Sequence, residues 1–537
     1  MKNIFIATLF IFFNILLSGC GSDSSSDKSD TLIPLSVPTI TKTLLAGCSG
    51  NYCGSNGNSY TGNGIGIWHS KNSEAPSANL DIKLYNIANK DIMIVFTNEG
   101  NNAVSLPNIT IDTSLKNIRS DELVQNSHEI IHFERRVDFK ELLKEDVLKN
   151  QNIKSVSPKV WSKGNQETWL IKPYDTLEKR TATLKEQISS NGRTINFWVE
   201  DSEFQTNKIT AAILSSTIDK FSSIYKRVVS LAGEPWGAHE HPKLIPNNQP
   251  LNIVFANFDK NSEPFGVVGY FWGTNNFLSK YDSNSNEALV IFVDTETIYH
   301  NNINNGILYS VSTMAHELTH AINFYQHDVL SNGDSFDTFL EEMSAVMMED
   351  IVSSQIDAVY SDIADRYTKW LADSSNYNYD FTDWSKGSSN YDIIASFGAF
   401  LLRQHGIEFY KDLLKTHSDS SSLSDKESSL NILDKTIKKY NNKGLKDALQ
   451  KWGTGIAMLP ADKSPENFGY PEKPIDGGFY LKALDGGSYA SARKLPTSSP
   501  SALKARGNFP FLRKASNGKY EESFIVPHDV SVTVIIK

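Results

Sequence analysis

The sequence predicts a multidomain α+β protein, and three observations carry that reading. Short apolar alternations separated by Gly and Asn run from about Ala46 to Asp112. Helical spacings of three and four dominate from Tyr309 to about Lys451. After Pro460 the texture turns to Gly, Pro and Ser punctuation, ending in the almost pure β-former run Val530–Ile536. With 537 residues, about three domains are expected, with ample length for real cores. The net charge of −10 and the lack of a basic stripe argue against a nucleic-acid partner and against binding through anionic headgroups.

The elements follow in order. Lys2 precedes a short apolar core, Ile4–Phe13 and Ile15–Leu17, too short to prefer as a membrane span. Leu17-Ser18-Gly19-Cys20 matches the bacterial lipobox, so residues 1–19 read as a lipoprotein signal peptide and Cys20 as the acylated residue. A lipid there anchors the protein without a span, on the outer membrane or cell surface or the periplasmic face. Residues 20–45, rich in Ser and Asp and almost without aromatics, read as a flexible tether. Cys48 and Cys53 flank Ser49-Gly50-Asn51-Tyr52 and form either a small-loop disulfide or two free thiols.

Residues 46–190 read as an N-terminal β-rich domain, with strands at Asp81–Tyr85 and Asp91–Phe96 and a charged helix near Phe139–Lys149. Thr181–Ile188 and Thr194–Val199 flank Asn191-Gly192, a type I′ hairpin signal. Residues 191–455 read as the central α+β domain and 456–537 as a C-terminal β-domain. In the centre, Ile209, Ile213, Thr217, Phe221, Ile224, Val228 and Leu231 mark a helix stopped by Gly233. Leu251–Phe255, Val267–Trp272 and Ala288–Val293 read as strands.

The most informative stretch is His316-Glu317-Leu318-Thr319-His320. Residues four apart lie one turn above each other on a helix, so His316 and His320 can offer two imidazole nitrogens to one metal ion. Glu317 then sits beside the open coordination position of a catalytic zinc, where a carboxylate can take a proton from water and hand it to a leaving amine. Leu308, Val311, Ala315, Leu318, Ile322 and Tyr325 form one apolar stripe, and the histidines lie on a neighbouring face. A helix of that kind suits the floor of a cleft.

The HExxHxxGxxH plan for a third ligand fails, because this chain has Asn323 and Gln326, with His327 one place late as an ordinary polar helix-end residue. Phe336, Phe339, Leu340, Met343, Val346, Met347 and Ile351 mark a second helix, N-capped by Asp334 or Ser335. Glu341 and Glu342 interrupt it; Glu342 borders the stripe, and a carboxylate there needs a partner such as zinc.

HExxH followed by a Glu-x-x-Ala helix resembles the gluzincin metalloproteases. Glu342-Met343-Ser344-Ala345 matches that pattern, whereas Glu341 is followed three places on by Ser344. The chain more specifically resembles the hyicolysin family of bacterial secreted zinc proteases. Gly64-Ile65-Gly66-Ile67-Trp68-His69, Phe197–Asp201, Gly269–Trp272 and Ser396–Leu402 ending at Gly406 carry that likeness. The resemblance implies a zincin-like catalytic domain between the two β-rich domains, one zinc ion on His316, His320 and Glu342, and Glu317 as general base. It also implies a sheet above the helix whose edge strand pairs with extended substrate, for which Val267–Trp272 is the candidate. Gluzincins add a Tyr or His that stabilises the oxyanion; Tyr391, before a helix beginning near Ile393, is the candidate. Where they place an Asp four residues after the ligand Glu, this chain has Val346, leaving Glu349 or Asp350 for that part.

The function expected is zinc-dependent endopeptidase action on protein or peptide substrates. Aminopeptidase action is the lesser option, since no acidic motif for a free amine is visible. A non-catalytic adhesin on the same scaffold is the alternative, and Glu317, which a binder does not need, is the residue that separates the two.

Overall fold

The computed structural model describes residues 32–112 except 89, residue 114, residues 130–132, 159–331, 335–415, 428–459, 463–484 and 489–537. The signal peptide, Cys20 and the expected helix at 139–149 lie outside the described residues. No helix among the described residues is long and apolar enough to cross a membrane.

The strands used below are β1 (Ile40–Thr43), β2 (Gly66–Asn72), β3 (Ser77–Tyr85), β4 (Asp91–Asn98), β5 (Ile130–His132), β6 (Gln166–Ile171), β7 (Glu178–Ser190), β8 (Arg193–Glu200), β9 (Leu251–Ala256), β10 (Gly266–Phe271), β11 (Val290–Asp294), β12 (Asn508–Lys514), β13 (Lys519–Pro527) and β14 (Val530–Ile536). The two β-rich ends of the chain are not separate domains. They build one sandwich. β14 lies between β2 and β4, with Val534 opposite both Trp68 and Ile94. β12 pairs with β4, and β13 runs along β3 from Lys519–Tyr85 to Pro527–Ser77. Trp68, Leu80, Ile82, Phe96, Phe511, Phe524 and Val532 fill the space between the sheets. The physical reason lies in β14: every residue of it is buried, as in a central strand, so it needs a neighbour on each side. Its neighbours β2 and β4 come from the other end of the chain.

The expected tether is also shorter than 20–45. Ile33 bridges Val104, β1 pairs in parallel with β3, and Leu45–Ala46 pairs with β2. Cys48 and Cys53 are disulfide-bonded, with Cα atoms 5.6 Å apart.

The second layer system is a seven-stranded sheet ordered β6-β7-β8-β9-β11-β10-β5. Its first strand in the chain is β5 at Ile130, so β5, β6 and all of β7, expected in the N-terminal domain, belong to the catalytic part. The hairpin forms as the Asn-Gly signal predicts, with positive φ at Asn191 (52°) and Gly192 (77°). β8, β9 and β11 run parallel, and β10 antiparallel to β11. β10 is not a free edge, because β5 pairs with its outer side.

Beneath this sheet lie the helices α1 (Ala211–Ala232), α2 (Ile303–Asn323), α3 (Thr338–Ile356), α4 (Asp362–Ala372), α5 (Ser388–His405) and α6 (Leu445–Met458). Thr210 caps α1 by accepting from the Ile213 amide, and Gly233 ends it at φ 105°. Its buried stripe packs with inner-face residues such as Phe197, Ile253 and Ile291 and with α2 and α3 in one continuous core. Ala457 and Met458 of α6 reach Ile67, Met93, Val95 and Ile535, joining the helical layer to the sandwich.

Candidate metal centre

α2 and α3 are built to face each other through polar residues. Asn302 caps α2 by accepting from the Asn304 and Asn305 amides. α3 starts at Thr338 with Asp337 as its N-cap residue, later than either Asp334 or Ser335. A π-helical turn, Phe324–Val329, follows α2. His327, expected as an ordinary polar helix-end residue, sits there buried against the Phe336 ring, with centroids 4.2 Å apart. It is not among the grouped ligands.

His316, His320 and Glu342 come together, each buried, with one potential ligand atom apiece within 4.8 Å of the others. His316 Nε2 lies 3.2 Å and His320 Nε2 3.6 Å from the same atom, Glu342 Oε2. Bonds of about 2.0–2.1 Å at a tetrahedral angle require ligand atoms about 3.3 Å apart. The longer separation exceeds a hydrogen bond, and among the described residues the buried His320 Nε2 has no partner at hydrogen-bond distance. These residues therefore fit a zinc ion.

The far side of each imidazole is fixed by a carboxylate. His316 Nδ1 lies 3.0 Å from Glu349 Oε1, and His320 Nδ1 lies 2.8 Å from Glu341 Oε1. A carboxylate accepts, so Nδ1 carries the proton in both rings and Nε2 is left to bind a metal. Of the two residues the sequence left open, Glu349 takes the part. Asp350 instead forms a buried two-point pair with Arg403, at 2.6 and 3.2 Å. Arg366 stands behind Glu349 at 3.5 Å and is itself held by Asp362 at 3.2 Å. Asn323 donates to Glu341 Oε1 at 3.1 Å.

The electrostatics fit a cation as well. Burial alone would lower the His316 pKa, but Glu349 and Glu342 outweigh it and hold it at about 9. Burial likewise opposes His320, yet Glu342 and Glu341 raise it well above its ordinary value. Glu342 is opposed by burial too, but His320 and His316 bring it to about 2. Three carboxylates thus surround two imidazoles, and a divalent cation offsets the excess negative charge that burial makes costly.

Glu317 is fully buried beside this group, and burial raises its pKa. Its Oε2 accepts from the Phe271 amide of β10 at 2.8 Å. Gly269 makes the approach of strand to helix possible. A Cβ at 269 would meet Thr313 Cγ2 at 2.4 Å and Glu317 Cγ at 3.4 Å.

Tyr391 is in the first turn of α5, which begins at Ser388 rather than near Ile393. Its hydroxyl donates to Glu342 Oε1 at 3.2 Å. Its ring packs edge-on against Trp384, and the Arg366 guanidinium lies 5.7 Å from the ring centre. Sequence reasoning missed Glu341 as the partner of His320, Arg366 behind Glu349, and the Phe271 amide. In the sequence Glu341 reads only as a second candidate ligand, and the adjacent pair of acids on α3 is the hint of two roles.

Residues 176–537 match the Peptidase M30 family, two thirds of the chain. The chain belongs to that family. Residues 46–111 match a domain of unknown function, DUF8571, so the peptidase M30 chain carries a second recognised segment within its sandwich. No curated protein matches. Among solved structures, an aminopeptidase N family protein from Idiomarina loihiensis is 12% identical, with 64% of this chain and 68% of that one covered and a TM-score of 0.31. A Glu-to-Ala variant of a two-domain M1 zinc metallopeptidase, bound to L-arginine, is 11% identical, with 55% and 54% covered and a TM-score of 0.29. A conserved protein of unknown function from Bacillus anthracis str. Ames is 10% identical, with 76% and 79% covered and a TM-score of 0.28. At such scores none of these likenesses bears on this peptidase's chemistry.

Proposed function

We propose that this M30 peptidase is a zinc endopeptidase. The observation that carries the reading is the convergence of His316 Nε2 and His320 Nε2 on one oxygen of Glu342, with Glu317 beside them under β10. His316, His320 and Glu342 would hold the zinc. When bound, the metal polarises a carbonyl and makes water a nucleophile near neutral pH. Glu317 takes the proton of the attacking water and delivers it to the leaving amine. Its burial favours the protonated acid that this second step needs. Tyr391, next to Glu342 Oε1, turns its hydroxyl to the oxygen that gains negative charge. Glu349 and Glu341 keep the two rings in place throughout. Extended protein or peptide chains are the substrates.

The test is metal content together with cleavage of a denatured protein, with and without chelator. His316→Ala should lose both metal and activity. Glu317 binds no metal here, so Glu317→Gln should stay folded and zinc-loaded while losing about a hundred- to ten-thousand-fold in rate or more. A Glu317→Gln protein that cleaves at the wild-type rate would remove the general-base assignment. A zinc-loaded wild type that cleaves no protein but binds a surface ligand would transfer the chain to the adhesin reading.

Acylation at Cys20, and with it a bacterial membrane anchor, is the proposed location, supported by the lipobox sequence. Wild type should enter the detergent-rich phase on phase separation and Cys20→Ala should not. Wild type in the aqueous phase would end the lipoprotein assignment.

A further inference from the structure

The strand above the catalytic carboxylate already has a partner on its outer edge. β5 pairs in parallel with β10, placing Ile130 opposite Gly266, Ile131 opposite Val267 and His132 opposite Gly269. Gly269 is the residue whose bare Cα lets β10 press on Glu317. β5 therefore extends along the edge to the level of the general base. The next main-chain donor beyond it, the Phe271 amide, is engaged by Glu317 itself. A peptide that adds to a sheet edge does so through that edge's main-chain donors and acceptors. With β5 in place, those groups beside Glu317 are in use.

We propose that β5 is an autoinhibitory strand, which holds the substrate edge of β10 until it is displaced. The proposal rests on the endopeptidase reading above. Three features make β5 suited to leaving. It is three residues long, and its pairing is interrupted by a register shift between Val267 and Gly269. The pairing is parallel, which is slightly weaker per residue than antiparallel. It also lies in the chain between the sandwich strands and β6, at the end of the sheet order, so its departure breaks no other pairing among the described residues. Yet while it remains attached it competes within the same molecule, an advantage that a dilute peptide does not have. Cleavage of the chain on either side of β5 would remove that advantage without touching the metal centre.

The experiment uses the full chain with two variants. The first carries Ile131→Cys with Val267→Cys, at register-opposed positions, to lock β5 onto β10 by a disulfide. Oxidised, it should cleave a denatured protein at least tenfold more slowly than after reduction, and should bind a peptide hydroxamate more weakly. Wild type under the same reductant controls for the Cys48–Cys53 bond. The second variant, Ile131→Pro, deletes a main-chain N–H and fixes φ in the middle of the three-residue strand, which disfavours its pairing. It should raise kcat/KM severalfold, mainly through a lower KM, at unchanged zinc content. Equal rates for the oxidised and reduced lock, or equal kcat/KM for Ile131→Pro and wild type, overturn the proposal and leave the endopeptidase reading standing. If zinc-loaded wild type and Ile131→Pro neither cleave protein nor bind the hydroxamate, the endopeptidase reading falls and takes this proposal with it.

Discussion

At the scale of single residues, the metal centre depends on side chains that would touch no metal. Glu349 fixes His316 and is braced by Arg366; Glu341 fixes His320 and is braced by Asn323. A histidine free to turn about its χ angles pays an ordering cost each time it binds a metal, and these partners remove that cost in advance. Glu349→Ala should therefore weaken zinc binding about ten- to a hundredfold, read by competition with a chelating dye. Glu342→Ala should lose the ion altogether. Unchanged affinity in Glu349→Ala would show that His316 is held by packing alone. His316 and His320 are legible in the sequence because helix geometry fixes their spacing, and Glu342 through its place at the border of the α3 stripe and the Glu-x-x-Ala resemblance. Their partners are not. Glu349 is seven positions from Glu342, two turns along α3, and nothing in the one-dimensional pattern separates it from Asp350. What separates them is the side from which Arg366 and Arg403 arrive, and those come from two other helices.

At the scale of elements, β10 and α2 act as one unit. The Phe271 amide grips Glu317, and Gly269 removes the side chain that would otherwise stand between them. Gly269→Ala brings a Cβ to within 2.4 Å of Thr313 Cγ2 and 3.1 Å of the Phe292 carbonyl oxygen, so strand or helix must shift. Overpacking of that kind costs about 1–3 kcal/mol. The expected result is a lower melting temperature and a fall in kcat, with zinc content retained because no ligand is on β10. Thr313→Ser deletes Cγ2, so adding it to Gly269→Ala should restore most of the lost activity. Failure of that rescue would place the strain on the β11 backbone instead. Sequence periodicity found β10, β11 and α2 within a few residues, because each has a strong local pattern. The resemblance implies β10 as the substrate edge, and no local pattern in β10 records the approach of a remote three-residue strand.

At the scale of the whole molecule, the two ends of the chain meet in one sandwich, and this decides which pieces of the protein can exist alone. The family match begins at residue 176, which reads as a natural boundary for a catalytic fragment. The structure says otherwise. A fragment of residues 176–537 retains β12, β13 and β14 but lacks β2, β3 and β4, their partners on every inner edge. β14 is buried along its whole length, and its apolar face and unpaired main chain would be exposed to other chains. α6, packed on the same strands, would lose its support. The 176–537 fragment should therefore be insoluble or aggregate on concentration, whereas residues 32–537 should be soluble and unfold with the sandwich and the helical layer coupled. Starting at residue 46 removes β1 and the Leu45 pairing and should be intermediate. Co-expression of residues 32–112 with 176–537 is the decisive measurement. The first piece supplies β1 to β4, so it should rescue the second as a complex by closing the sandwich sheets, while β6, absent from both pieces, leaves the outer edge of β7 open. A soluble, monomeric, zinc-loaded 176–537 fragment without that partner would mean that the catalytic layers fold without the sandwich. In that case the N-terminal strands would be an accessory to the peptidase rather than part of its core.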